Sequence, residues 1–262
     1  MNKYIAITFF FTSSVLAEEL PRVDEALPVL IDIRNQVPVL DWDKDGCYPA
    51  SGIGRDGKQN PGLKTSGAIN GSCHDVGFLD ISNTLHRYAC IDTSNGTYCA
   101  QIYDLYYEKD QAIHGSGIGG HTHDWETIAI WTLNGNITHG SVSSHGDMIT
   151  RSKDELPMEN DHMKVVYHKD GAGTHAFRFA GSGEEAENSY GTFVTPTITS
   201  WYELTGDNIS NSVMRGQLNS FDYGSASIKV KDSSFLHFIN SWRPSSYPIF
   251  TQQSVDASNP YQ

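Results

Sequence analysis

The chain has 262 residues, and its 18 lysines and arginines stand against 31 aspartates and glutamates, which gives a formal net charge of −13. That charge excludes unaided binding to nucleic-acid phosphates and disfavours nonspecific adhesion to anionic lipid, because both need a basic surface. Aromatic residues make up 11% of the chain, enough for a folded core, and the length suits one large domain.

The N-terminal residues have the pattern of a secretory signal peptide. Lys3 is the only charged residue before Glu18, an apolar run follows Lys3, and the small residue Ala17 suits signal-peptidase cleavage. The apolar run is shorter than the roughly 20 residues of a membrane-spanning helix. We therefore expect residues 1–17 to be removed and residues 18–262 to form a single secreted domain.

The four cysteines agree with export, since an even number of cysteines in an exported chain predicts disulfides. Three pairings can form among them. Sequence order favours Cys47–Cys73 and Cys90–Cys99, because each bond closes a modest loop. No CxxC spacing is present, which disfavours a cysteine metal site.

Strand signals dominate the chain after residue 97, whereas residues 18–37 are interpreted as a leader or a helix and residues 41–71 as an ordered loop region. The expected strands are β-branched and aromatic and cover residues 98–107, 125–133, 163–168, 175–180, 192–199 and 227–230. Asn134-Gly135 supplies a turn, and residues 211–219 are the best helix candidate. Short strands, frequent turns and no long helical periodicity predict a mainly β sandwich with a few helices.

The chemistry of the chain is concentrated in one heptapeptide, Gly120-His121-Thr122-His123-Asp124-Trp125-Glu126. Side chains alternate along a strand, so Asp124 and Glu126 are expected on one face, with Cβ atoms about 6–7 Å apart. His123 and Trp125 are expected on the opposite face. Two carboxylates so close repel each other unless a cation or a proton lies between them.

Two further side chains can join these carboxylates. His121 can fold back from the preceding loop, and Asp110 can approach from the end of the strand before it. The resulting cluster is rich in oxygen ligands, which suit Ca²⁺, Mg²⁺ or Mn²⁺ better than structural zinc. The residues alone leave open the alternative of an acidic strand face that binds only water.

A second acidic motif is the DxDxDG pattern at residues 41–46, which places carboxylates at positions 1, 3 and 5 of a calcium loop. Position 12 of that loop is Gly52, which cannot supply the bidentate carboxylate of an EF-hand. We interpret the motif as an incomplete calcium loop with a structural role, formed by Asp41, Asp43 and Asp45. A solvated acidic turn is the alternative.

The heptapeptide resembles the GHRHDWE signature of the necrosis- and ethylene-inducing peptide-like proteins at six of its seven positions. Further blocks of that family are similar to residues 107–111, 144–147 and 166–171. The resemblance runs from about Asp41 to Phe250. Two departures are visible: Thr122 stands where the family has arginine, and the loop between Asp110 and His121 is a few residues longer. The four cysteines resemble the two-disulfide subgroup.

This resemblance implies a β-sandwich flanked by helices, similar to actinoporins and fungal lectins. It also implies a secreted cytolytic toxin and virulence factor that binds glycosyl inositol phosphoceramide sphingolipids of the plant plasma membrane. Such proteins permeabilise the membrane and induce necrosis and plant immune responses, which makes plant immune receptors candidate partners. We expect a monomer in solution.

The resemblance also implies two cation sites. The family's divalent-cation ligands, which bind Ca²⁺ or Mg²⁺, correspond here to Asp110, His121, Asp124 and Glu126. The two-disulfide subgroup resembles this chain in its acidic loop as well, which implies calcium at Asp41, Asp43 and Asp45.

Two other functions stay open. A metallohydrolase could hold a metal-bound water with His121, His123 and Asp124, although no zincin spacing is present. Further histidines available to such a site are His145, His168 and His175. A non-lytic member could bind lipid or sugar and act only as an immune elicitor, since Thr122 and the longer loop lie beside the docking site. No serine or cysteine nucleophile has a suitable partner pattern, so we expect a binding protein and no enzyme.

Overall fold

The computed structural model describes residues 20–262, and the expected signal peptide at residues 1–17 lies outside the described residues. Over the described range the chain forms ten strands and three α-helices. The strands are β1 (Val39–Trp42), β2 (Asn83–Thr93), β3 (Gly96–Asp110), β4 (His121–Leu133), β5 (Asn136–Ser144), β6 (Asp147–Ser152), β7 (Met158–Glu159), β8 (His162–Lys169), β9 (His175–Phe179) and β10 (Thr197–Ser200). The helices are α1 (Asn211–Ser220), α2 (Phe235–Trp242) and α3 (Gln252–Asp256), and single 3₁₀ turns cover Phe78–Asp80 and Lys153–Glu155.

The strands form two sheets. The larger sheet has the order β10-β2-β3-β4-β5-β6, with a parallel β10–β2 pair and antiparallel pairs elsewhere. In the smaller sheet β8 runs parallel to β1 and antiparallel to β7 and β9. Because β3 and β4 are adjacent and antiparallel, the end of β3 and the start of β4 meet at one end of the sandwich.

Both faces of β3, in the middle of the larger sheet, are buried. One face presents Ile102 to a core that includes Leu218 of α1. The other face presents Leu105 to a second core, which includes Tyr167 of the smaller sheet. The fold is therefore a β-sandwich with helices packed on the outer face of its larger sheet, and the predicted fold class is confirmed. Within residues 20–262, none of the helices combines the length and the apolar composition that a membrane crossing requires.

Both disulfides have the pairing that sequence order favours. Cys47 is bonded to Cys73, and Cys90 is bonded to Cys99. The second bond joins directly paired positions on β2 and β3. A bond of this kind stabilises a small domain by roughly 2–4 kcal/mol, largely by restricting the unfolded chain.

The strongest predictions of secondary structure are confirmed. The expected strands at residues 98–107, 125–133 and 163–168 lie within β3, β4 and β8, and the strand expected at 175–180 ends one residue early in β9. The helix expected at 211–219 is α1. Each of these segments has a marked periodicity that needs no partner elsewhere in the chain to be recognised.

Two predictions were wrong in part at segments that contain proline: the helix alternative at residues 18–37 and the length of the strand at residues 192–199. Residues 20–37 form no helix, because Pro21 and Pro28 interrupt helical hydrogen bonding. The strand expected at residues 192–199 is reduced to β10, since Pro196 has no N–H to donate to a neighbouring strand.

The strand expected at residues 227–230 is also absent, for a different reason. The backbone N–H groups of Lys229 and Val230 donate to the buried carboxylate of Asp104 at 2.6 and 2.9 Å. These groups are thereby satisfied by a side chain and not by a neighbouring strand, and residues 229–230 form a turn.

Candidate metal centre

Asp110, His121 and Asp124 gather at one end of the sandwich. Asp110 is the last residue of β3 and pairs directly with His121, the first residue of β4, while Asp124 follows three residues along β4. One ligand atom from each of these side chains lies within 4.8 Å of the other two. Among residues 20–262 this is the single group of three histidine, cysteine or acidic side chains that meets so closely. We call these three residues the acidic triad.

The Asp110 carboxylate is held in place by His175, the first residue of β9. The His175 backbone N–H donates to Asp110 Oδ2 at 2.9 Å, and its Nδ1 lies 2.7 Å from Asp110 Oδ1. Both side chains are buried. The sequence offers His175 only as a further histidine for a metallohydrolase, and its contact with Asp110, 65 positions away in the chain, could not be predicted.

Asp124 is buried beside the charge of Asp110. The Tyr167 hydroxyl donates to Asp124 Oδ2 at 3.2 Å. Burial and the neighbouring charge of Asp110 together raise the pKa of Asp124 to about 7, against the opposing effect of His121. The ionised form of this carboxyl group is therefore disfavoured unless positive charge is brought to it.

Glu126 lies two residues beyond Asp124 on the same face of β4. Its Oε2 accepts a hydrogen bond from the Ser143 hydroxyl, and burial together with the charge of Asp124 raises its pKa well above the ordinary value. Glu126 is not part of the acidic triad, but it lines the same cavity. Of the four predicted ligands, Asp110, His121 and Asp124 therefore converge in the structure, and Glu126 lies beside them.

The acidic triad opens into a cavity of about 550 Å³. Its two carboxylates and one imidazole offer mainly oxygen ligands, which hard divalent cations prefer. A divalent cation would also supply the positive charge that the buried carboxylates lack. The residues present therefore fit Ca²⁺ or Mg²⁺.

The opposite face of β4 has a structural role. Trp125 packs in the core beneath the helices, and His123 Nδ1 lies 2.6 Å from the Tyr106 hydroxyl. The face assignment expected from alternation is confirmed. His123 is turned away from His121 and Asp124, so the three residues considered for a metallohydrolase do not come together.

Thr122 stabilises the start of β4. Its hydroxyl donates to the backbone carbonyl of Leu63 at 3.0 Å, which ties the signature to the loop over residues 61–71. The structure therefore gives Thr122 a local role as an anchor between two loops.

The second acidic motif is not gathered around one point. Asp41 is buried and accepts hydrogen bonds from the backbone of Glu187 and Asn188, each at 3.0 Å. Asp43 lies 3.7 Å from Arg178, and burial raises its pKa to about 6. Asp45 forms no close acidic group with them in the described part of the chain. The calcium loop stays a prediction, and the visible role of Asp41 is to fix a neighbouring loop.

We expect cation binding to stabilise the protein more strongly as pH rises. The folded-state pKa of Asp124, about 7, exceeds its ordinary value of 3.8. Between these values the folded protein holds a proton that the unfolded chain releases, so the cation-free protein loses stability as pH rises toward 7. A divalent cation binds the ionised carboxylate and offsets that loss.

Thermal unfolding followed by circular dichroism at pH 5, 6, 7 and 8, with Ca²⁺ or with EDTA, measures this effect. The difference in Tm between the two conditions should grow with pH. Burial also raises the pKa of Asp104 to about 6. Because Asp104 titrates with Ca²⁺ and with EDTA alike, its effect on stability cancels in the difference in Tm. A difference that does not vary with pH would contradict ionised carboxylates as the ligands.

Comparison with known proteins gives a family match, a similar protein and similar solved structures. A model of the family described as "Necrosis inducing protein (NPP1)" matches residues 33–242. The "Necrosis-inducing protein NPP1" of Phytophthora nicotianae is 26% identical over 198 residues, which cover 73% of this chain and 74% of that protein.

Two solved structures are similar in fold. One is described as the "non-toxic HaNLP3 protein", with a TM-score of 0.69, 20% identity, and coverage of 87% of this chain and 99% of that chain. The other, "NLPPya in complex with mannosamine", has a TM-score of 0.67, 23% identity, and coverage of 91% and 99%. At these identities the similarity establishes a shared fold only.

Proposed function

Because the chain belongs to the necrosis-inducing protein (NPP1) family, we propose that it is a secreted cytolytic toxin of plant cells. In this proposal residues 18–262 form the exported domain. The domain binds the glycosyl inositol phosphoceramide headgroup of the plant plasma membrane through a divalent cation. It then permeabilises the membrane and induces necrosis and plant immune responses.

The observation that carries the proposal is the acidic triad at the floor of an open cavity. A chain with a formal charge of −13 is repelled by an anionic sphingolipid headgroup. A Ca²⁺ or Mg²⁺ ion held by the triad, with Glu126 beside it, would reverse the local field and leave positions for sugar hydroxyl or phosphate oxygens.

The walls of the cavity suit a sugar-containing headgroup. Hydroxyl groups of Ser143 and Ser227, the ammonium group of Lys229 and the indole of Trp242 all line it. Hydroxyl and ammonium groups bond to sugar and phosphate oxygens, and an aromatic ring packs against the apolar face of a sugar. The structure of NLPPya, which is similar in fold, is a complex with mannosamine, and this supports a sugar-containing ligand for the cavity.

The proposed action needs binding and no bond-breaking chemistry. His123 is directed toward Tyr106 and away from the acidic triad, so the histidines do not form a compact set of metal ligands. The four cysteines are held in disulfides and provide no thiolate nucleophile. These contacts favour a binding protein over a hydrolase.

Dye release from phosphatidylcholine vesicles with and without plant glycosyl inositol phosphoceramide tests the proposal. We expect the 18–262 protein to release dye only when the sphingolipid and a divalent cation are both present, and EDTA to stop the release. Glu126→Ala should release none while keeping its circular dichroism spectrum. Lipid-dependent binding without release would point to a non-lytic elicitor, and no binding would contradict the proposal.

A further inference from the structure

The loop that joins Asp110 to His121 presents two large apolar side chains to solvent. Ile113 is 47% exposed and Ile118 is 74% exposed. The loop begins and ends at members of the acidic triad, so the segment that carries both isoleucines adjoins the proposed headgroup site. Single exposed apolar residues are ordinary on protein surfaces, so these two draw their significance from sharing one short loop at the acidic triad.

The loop is held in this conformation by a neighbouring loop. Gly115 N–H donates to the carbonyl of Gly67 at 2.7 Å, and the buried amide of Gln111 donates to the carbonyls of Gly67 and Ile113 at 3.0 and 2.8 Å. Gly115 and Gly119 adopt positive φ angles of 72° and 73°, which glycine tolerates without strain. The two isoleucines are therefore exposed on an ordered turn that hydrogen bonds hold in place.

The charge of this surface differs from that of the whole chain. Residues 111–120 and the adjoining residues 61–71 contain no aspartate or glutamate, although the chain has 31 of them. Lys64 is the one formally charged residue in these two segments, and its charge is positive. We call the two segments together the acid-free tip. An anionic lipid surface would repel most of this protein, but it would not repel the tip.

We propose that the acid-free tip inserts Ile113 and Ile118 into the interfacial layer of a lipid bilayer, next to the headgroup held at the acidic triad. This inference rests on the proposed function and adds a second contact with the membrane. Stable attachment of a peripheral protein needs more than one weak signal, and a cation-bound headgroup combined with apolar insertion meets that need. Burial of the isoleucine side chains supplies the favourable free energy of insertion.

Ile118→Asp and Ile113→Asp test the inference, with Ile249→Asp as the matched control. Ile249 is 64% exposed and lies near Tyr247, whose ring packs on Tyr98 at the far end of β3. Sedimentation with vesicles of phosphatidylcholine and glycosyl inositol phosphoceramide measures membrane binding, and calorimetry with the deacylated headgroup in Ca²⁺ measures the headgroup site alone.

We expect each tip variant to bind vesicles about tenfold more weakly than wild type, with unchanged headgroup affinity and Tm. Ile249→Asp should match wild type in every assay. Tip variants that bind vesicles as wild type does would overturn the inference and point to a protein partner for the tip. Vesicle binding that needs the tip but no cation would uphold the inference and reject the proposed cation docking. A wild-type protein that binds no vesicles would reject both.

Discussion

We expect Asp124→Asn to lose cation-dependent membrane leakage and, without cation, to be more stable than wild type. Asparagine keeps the shape of the side chain and can still accept the hydrogen bond from Tyr167. It removes a buried carboxyl group whose ionised form is disfavoured by burial and by Asp110. The same change removes one charged ligand of the acidic triad. The two effects have opposite signs, which a general loss of folding could not produce.

Calorimetric titration with Ca²⁺ and thermal unfolding in EDTA measure both effects. The cation affinity should fall by about 100-fold or more. In EDTA the Tm of the variant should rise by about 2–4 °C for each kcal/mol gained in the free energy of unfolding. Asp147→Asn is the matched control, because Asp147 is an exposed acidic residue that lines the same cavity outside the triad. Wild-type cation affinity in Asp124→Asn would show that the ion binds elsewhere.

The second large effect is expected at His175, which contacts both carboxylate oxygens of Asp110. His175→Leu removes the ring nitrogen that lies 2.7 Å from Asp110 Oδ1 but leaves the backbone N–H in place. Asp110 then keeps the backbone hydrogen bond but loses the ring contact that helps to fix its orientation. Removing a hydrogen-bond partner of a metal ligand lowers metal affinity by about 10- to 100-fold. His175 is thus a positioning residue and not itself a member of the triad.

Titration with Ca²⁺ at pH 7.5 measures the loss, and leakage should be restored in part when the cation concentration is raised. That recovery separates a weakened site from a misfolded protein. His168→Leu is the control, since His168 lies on β8 and does not line the cavity. The positioning role fails if both histidine variants bind the cation as wild type does.

Much of the candidate site could be predicted from the sequence, because it depends on local rules. Alternation along β4 separates Asp124 from Trp125, and an antiparallel neighbour brings the end of β3 to the start of β4. Asp110 and His121 therefore meet once those two strands are recognised. The order of the cysteines was likewise enough to favour the observed disulfides.

The features that could not be predicted depend on residues far apart in the chain. His175 reaches Asp110 because β9 pairs with β8 in the second sheet. Asp41 fits a calcium-loop pattern, but its carboxylate binds the backbone 146 and 147 residues away. No local pattern contains such information.

The long strand β2 was not predicted, because it contains polar and charged residues. β2 carries Arg87, which is buried between the rings of Trp201, Tyr202 and Phe235 and bonds to the carbonyl of Val230. In the sequence this arginine favours a surface position, since charged residues are seldom buried without partners. Its aromatic surroundings come from segments more than 100 residues later, so the strand could be identified only in the folded chain.

Anomalous scattering from crystals soaked in Mn²⁺ tests the central claim most directly. Mn²⁺ prefers the same oxygen-rich ligands as Mg²⁺ and Ca²⁺, and its anomalous signal locates the ion without reference to activity. The account predicts a peak bonded to Asp110, His121 and Asp124, and no peak at that position in Asp124→Asn crystals. An empty triad in wild-type crystals, or a peak found only beside Asp43 and Asp45, would contradict it.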